Sequence, residues 1–188
     1  MNILRNLFLI AIISILGVFF MQNSNAESFI ITSNNFSNND TMPNSLIHSH
    51  FGCTGENKSP HLKWQGAPKG TKSFALIVHD PDAPRPTGWY HWIVLNIPAN
   101  ITELKEGQQI NHPMLQAKND FGSVTYGGAC PPKGHGVHRY NFTIYALESA
   151  ALLPTPGSAP DSIERQVKKH ALASATISAT ISATYGRE

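Results

Sequence analysis

Charge is scarce in this chain and nowhere concentrated. Asp, Glu, Lys and Arg make up 14% of its 188 residues, the formal net charge is +2, and there is no Lys/Arg-rich run. A nucleic-acid surface needs a basic patch and an acidic or basic tail needs a block of like charge, so neither fits. Hydrolase signatures are missing as well. Ser59, Ser73 and Ser123 are present, but none stands in a Gly-x-Ser-x-Gly elbow. No His-x-His or His-x3-His pair surrounds His91 or His138, which removes the usual ligand spacing of a metal site. Long apolar runs are lacking apart from one. Residues 7–21 are apolar and uncharged, about 15 residues where a membrane-spanning helix needs roughly 20.

That single run is flanked by Arg5 before it and by Ser24-Asn25-Ala26 after it. A cationic start, an apolar middle and a small-x-small site read as an export leader cleaved after Ala26. The expected organisation is a leader over residues 1–26 and one domain over residues 27–188, working in the periplasm or outside the cell. No cysteine stands at the cleavage point, so a lipid-anchored terminus is not expected. Cysteine is limited to Cys53 and Cys130. Export permits them to pair, closing a loop of about 77 residues and adding roughly 4 kcal/mol in the chain-entropy model. Two buried thiols are the alternative.

What is present is mostly β. Residues 29–33 read as an edge strand, residues 34–44 as an Asn-rich loop, and residues 51–60 as a glycine-punctuated loop partly packed on the core. His61-Leu62-Lys63-Trp64 alternates as a strand does. Residues 73–79 form the clearest strand, residues 92–97 the next, and residues 140–147 alternate as a half-buried one. Residues 99–122 read as loop with local turns. A proline-rich link over residues 154–160 precedes the only helix signal, where Asp161 and Glu164 suit a capping box and Ile163, Val167 and Leu172 a helical stripe. The tandem Ala-Thr-Ile-Ser repeat of residues 175–182 fits a helix by its four-residue spacing and a strand by its composition.

Three places concentrate chemistry, each where a strand meets a Gly/Pro loop: Asp80-Pro81-Asp82-Ala83-Pro84, His91 within Trp89-Tyr90-His91-Trp92, and His138-Arg139-Tyr140 after Gly127-Gly128-Ala129-Cys130-Pro131-Pro132. Strand ends project side chains from a rigid support, and glycine loops let a ligand approach backbone N–H groups. Asp82, in a proline turn, is expected to brace local backbone N–H groups.

Taken together these motifs resemble the phosphatidylethanolamine-binding protein family, and Phe51-Gly52-Cys53, Ser59-Pro60, Leu62 and Trp64 resemble its bacterial YbhB/YbcL-like branch. The resemblance implies an antiparallel β-sandwich with Greek-key-like connections and a C-terminal helix, with a small anion pocket at one end. It implies that Asp80, His91, His138 and Tyr140 line that pocket, with Ala83, Pro84, Trp89 and the Gly128–Pro132 loop at its rim. It also implies a cis peptide, with Pro81, Pro84 and Pro131-Pro132 as the candidates. Cys130 stands where eukaryotic members have glycine, and the turn of residues 85–88 is short, which sets the chain apart from kinase regulators.

The ligand implied is a phosphate-like anion or phospholipid head group, held without enzymatic turnover, cofactor or metal. In this reading His91 and His138 donate hydrogen bonds, Tyr140 offers its hydroxyl, and Asp80 sets the charge. Binding should then strengthen as pH falls. Two histidines and a carboxylate also match a metal facial triad, Asp with His could host acid–base chemistry, and inhibition of an extracytoplasmic protease or kinase follows by family analogy alone.

Overall fold

The structure is a computed structural model and describes residues 27–182. The expected leader lies outside those residues. In chain order the strands and the α-helix are β1 (Ile30–Thr32), β2 (Asp40–Thr41), β3 (Leu62–Gln65), β4 (Ser73–Asp80), β5 (Trp89–Pro98), β6 (Glu103–Leu104), β7 (Leu115–Gln116), β8 (Val137–Leu147), α1 (Pro160–Lys169) and β9 (Ala171–Ser182), with a single 3-10 turn at Asn44–Leu46. They form a three-stranded sheet, β1-β3-β6, and a six-stranded sheet, β2-β9-β8-β4-β5-β7. Neighbours are antiparallel except β2 and β9, which run parallel. β8 lies beside β4 although β5 to β7 intervene, the long return that a Greek key requires.

The two faces of the large sheet explain its sequence. One face packs against the small sheet through Trp64, Phe74, Leu76, Trp92, Phe142 and Ile177. The other carries a second cluster of Ala75, Ile77, Ile93, Leu95 and Leu147 beneath Ile163 and Val167 of α1. A strand covered on both sides reads as an unbroken apolar run, as residues 74–78 do.

The helix departs from expectation at both ends. Ala159 is its N-cap, without a side-chain cap bond, and Pro160 occupies the first turn. Proline suits that position because its missing N–H would have had no partner there. No capping box forms. Asp161 pairs with Arg165 at 2.6 Å, and Glu164 turns back to the sheet, taking hydrogen bonds from the Tyr90 hydroxyl at 2.6 Å and the Tyr145 hydroxyl at 3.0 Å. Leu172 lies on β9 and is exposed. The helix is also not the last element, because β9 follows it.

In that strand the four-residue repeat is two periods of alternation. Ile177, Ala179 and Ile181 point inward, and Thr176 and Ser182 outward. Residues 99–122 supply the two short strands β6 and β7, too brief to show periodicity. Among the described residues the cis peptide is His112-Pro113, so Pro81, Pro84, Pro131 and Pro132 follow trans bonds.

Candidate functional site

Asp80 ends β4, His91 lies near the start of β5, and His138 and Tyr140 lie near the start of β8. Because β4 is central and antiparallel to both neighbours, all four meet at one end of the large sheet. Register decides which side they face. Asp80 pairs with Trp89 and His79 with Tyr90, but the next pairing is Val78 with Trp92, leaving His91 as a bulge. A bulge re-aims the side chain it inserts. Tyr90 joins the cluster under the helix while His91 lines the cavity with Asp80.

The β4–β5 turn is built by its own polar groups. Asp80 Oδ1 accepts from the Asp82 N–H at 2.8 Å, and the His79 Nε2–H donates to the Thr87 carbonyl at 2.8 Å. Gly88 closes the turn at φ +65°, where an added Cβ would sit 2.4 Å from the Asp80 carbonyl oxygen. Asp82 differs from its expected part. Its carboxylate grips Arg139 across the sheet end, accepting from Nε at 2.8 Å, the backbone N–H at 2.9 Å and Nη2 at 2.7 Å. The Arg139 hydrogen bonds hold this carboxyl down to about 2.

The cavity, about 110 Å³, is lined by Asp80, His91, His138 and Tyr140, by Ala83, Pro84, Arg85 and Trp89, by Phe51 and Phe121, and by Cys130, Pro131 and Pro132. It is well below the roughly 300–1,000 Å³ of pockets that enclose drug-sized ligands. Of the Gly128–Pro132 loop expected at the rim, Cys130, Pro131 and Pro132 line the cavity, whereas Gly128 and Ala129 do not. Gly128 is the informative case. It packs behind the wall, where a Cβ would lie 2.5 Å from the His48 nitrogen and the Leu46 carbonyl oxygen. Its N–H donates to Asn57 Oδ1 at 2.7 Å. Cys53 and Cys130 form a disulfide, which ties the Phe51 turn to the Pro131-Pro132 loop across the mouth. The candidate serines lie elsewhere: Ser73 donates to the Ser149 carbonyl, Ser123 bonds Thr125, and Ser59 borders a different groove. Among the described residues, no group of three His, Cys, Asp or Glu side chains is placed to hold a metal ion.

Hydrogen bonding fixes what each polar group can still do. His91 is 3% exposed and its Nδ1 lies 2.7 Å from the Gly127 carbonyl oxygen. A carbonyl only accepts, so Nδ1 carries the proton. Nε2 is then a lone-pair acceptor, and no protein group reaches it. Burial pushes the ring down to about 4, against the opposing pull of the Gly127 carbonyl and the Asp80 carboxylate. His138, 1% exposed, has Nδ1 2.7 Å from Asp80 Oδ2 and Nε2 2.8 Å from His135 Nδ1. Neither histidine therefore presents a free N–H to the cavity, contrary to the expectation that both would donate. The Tyr140 hydroxyl is pushed up, first by burial and then by the charge of Asp80. The indole N–H of Trp89 is a buried donor with no protein partner.

Sequence reasoning passed over three contributors. Arg85 lines the cavity, lies 4.9 Å above the Trp89 ring and bonds Asp120 at 3.0 Å. His135 extends the Asp80–His138 pair to the surface. Asn119, 4% exposed, is a hub: Nδ2 donates to the His91 and Thr125 carbonyls at 2.9 and 2.8 Å, and Oδ1 accepts from the Phe121 and Ser123 N–H groups. It thereby fixes the Phe121 loop onto the strand that carries His91. The only sequence trace of this was the turn signal at Asn119-Asp120-Phe121-Gly122.

Comparison with known proteins bears on the family and the fold. A family model described as "Phosphatidylethanolamine-binding protein" matches residues 32–182. The UPF0098 protein YbcL of Escherichia coli is 44% identical over 144 residues, covering 73% of this chain and 79% of that protein. The UPF0098 protein YbhB of the same organism is 40% identical over 149 residues, covering 77% and 94%. The crystal structure of E. coli YbcL, described as a member of the mammalian PEBP family, superposes with a TM-score of 0.77 at 40% identity, over 81% of this chain and 96% of that one. A PEBP homolog from Chlamydia trachomatis, CT736, gives 0.70 at 34% identity, covering 82% and 97%. With a family model over residues 32–182 and relatives of this identity and coverage, the chain belongs to the phosphatidylethanolamine-binding protein family.

Proposed function

We propose that this protein is a non-enzymatic binder of a small phosphate-like anion, free or as a phospholipid head group, and that it works after export. The observation that carries the reading is that two residues lining a cavity of head-group size, His91 and Trp89, each hold a buried polar atom, Nε2 and Nε1, without a protein partner. Buried polar atoms are nearly always satisfied, so two orphans on residues lining one cavity point to a polar ligand. Arg85 supplies the only cationic side chain of the lining other than a histidine. The lining holds no free thiol, serine or threonine. Export is supported by the leader pattern of residues 1–26 and by the Cys53–Cys130 disulfide, a bond that persists in oxidising compartments.

Titration with inorganic phosphate and with glycerophosphoethanolamine, read by calorimetry and by tryptophan fluorescence, tests the reading. Saturable binding is expected. It should weaken about tenfold or more in Ala83→Trp, which fills the cavity, and in Arg85→Gln, which removes its cation. No saturable binding of either ligand by the wild type would sink the proposal.

A further inference from the structure

The part of the cavity's polar wall formed by His91 and Asp80 accepts hydrogen bonds, which is unusual for an anion site. Nδ1 of His91 is committed to the Gly127 carbonyl, so Nε2 offers only a lone pair. Asp80 offers carboxylate oxygens, one held by the Asp82 N–H and the other by His138. Both nitrogens of His138 are engaged. A fully deprotonated oxyanion placed here would set its own lone pairs against those of His91 and Asp80. An oxyanion that keeps one proton meets the same wall with a donor.

Resting on the binding reading above, we propose that the pocket selects a phosphate monoester in its singly protonated, monoanionic form, its P–OH donating to His91 Nε2. An unprotonated oxygen of the same group is then left for the Trp89 indole N–H and for Arg85. His91 is the residue that determines specificity, because it reads whether the ligand carries a proton. Sulfate esters and phosphodiesters have no hydroxyl on the oxyanion and fail this test. A diester head group with an ammonium could supply an N–H instead, and is the competing source of a donor.

Burial, more than the groups facing it, keeps the His91 ring neutral. Asp80 from β4 and Tyr140 and His138 from β8 border the same cavity, and Arg85 closes it from the β4–β5 turn. His79, on β4, pushes the ring further toward its neutral form, while the Asp80 charge pulls the other way and is outweighed by burial. With the ring held down to about 4, His91 remains an acceptor across the range in which a phosphate monoester dianion gains the single proton of its monoanion, near a pKa of about 6.

Phenyl phosphate and phenyl sulfate provide the test, since below about pH 5 both are monoanions of similar shape that differ in one hydroxyl. The wild-type protein is titrated with each by calorimetry at about pH 5 and about pH 8. Phenyl phosphate should bind about tenfold or more tightly than phenyl sulfate at the lower pH, because only it pairs with the buried acceptor. Its affinity should fall by a similar factor at the higher pH, while phenyl sulfate changes little. In His91→Phe the two ligands should bind within about twofold of each other. Should that variant fail to fold, histidine 15N shifts of the wild type give the same answer. His91 Nε2 should resonate as unprotonated in the free protein and move on adding phenyl phosphate but not phenyl sulfate. Glycerophosphoethanolamine binding more tightly than phenyl phosphate at about pH 5 would assign the donor to an ammonium and overturn the monoester claim. Equal affinity for phenyl phosphate and phenyl sulfate in the wild type would overturn the selection while leaving anion binding intact. Absence of saturable binding by every ligand would remove both.

Discussion

His138 Nδ1 lies 2.7 Å from Asp80 Oδ2, and both residues are at most 3% exposed. A pair this buried is costly to break from one side, because the remaining charge is left without compensation. His138→Ala should therefore destabilise the fold by about 3–5 kcal/mol in chemical denaturation. It is a poor probe of binding alone. The double variant Asp80→Asn/His138→Gln should lose less than the sum of its single variants, showing direct coupling. Additive losses, or a His138→Ala cost under about 1 kcal/mol, would mean the pair contributes little.

Asp82 and Arg139 form a second pair, bidentate but partly exposed, with side chains 27% and 58% accessible. The folded carboxyl titrates at about 2, below its ordinary 3.8. The stabilisation is therefore present above 3.8 and lost as pH falls through about 2. After allowance for solvent screening, Asp82→Asn should cost about 1 kcal/mol at neutral pH. The gap to the wild type should close on acidification toward that lower value. A gap that stays constant with pH would show that the loss is not electrostatic.

The Cys53–Cys130 bridge spans 77 residues and carries one pocket-lining residue. Cys53→Ala/Cys130→Ala should lower stability by roughly 4 kcal/mol in the chain-entropy limit, measured as a shift in denaturation midpoint. It should also free the turn that holds Phe51 against Phe121, whose ring centroids are 6.0 Å apart. Phosphate affinity should fall with it. Unchanged affinity would place the bridge in stability alone.

Gly128 stands behind the cavity wall, with the His48 nitrogen and Leu46 carbonyl oxygen 2.5 Å from the place a Cβ would take. Backbone on both sides leaves nothing that can rotate away. Gly128→Ala should cost about 1–3 kcal/mol from overpacking, and ligand affinity should fall as the wall shifts. A variant as stable as the wild type would show that the Leu46–His48 segment yields readily.

The sequence was legible where physics is local. Two-sided burial of β4 shows as an apolar run, and the Gly/Pro loops mark the sheet end where Asp80, His91, His138 and Tyr140 converge. The parts played by Asp82 and Glu164 were not legible, because their partners lie far along the chain. Asp82 looked like a turn brace because Arg139 is 57 residues away. Glu164 looked like half of a capping box because nothing local reveals Tyr90 and Tyr145 above it. The His91 bulge breaks the alternation that strand reading assumes, and Asn119 acts through backbone carbonyls that have no sequence signature.

His91 ties stability to pH in a direction that can be worked out. Its folded value is lowered to about 4 from an ordinary 6.5. Between those values the unfolded chain holds a proton that the folded protein refuses, so stability rises with pH across that window and is lost as pH falls. The ring's share of that loss is roughly 3 kcal/mol. His48, also lowered by burial, adds to the same slope, so the informative quantity is the difference between wild type and His91→Phe. The variant should start lower at neutral pH, having lost the bond to the Gly127 carbonyl, and then converge on the wild type as the solution is acidified. Curves that run parallel through that window would mean that His91 titrates normally in the fold. The ring would then become a cation as pH falls, and Nε2 would donate a hydrogen bond at the pH where the acceptor is required. Selection for a protonated ligand would fail with it, so this stability measurement tests the binding proposal without any ligand present.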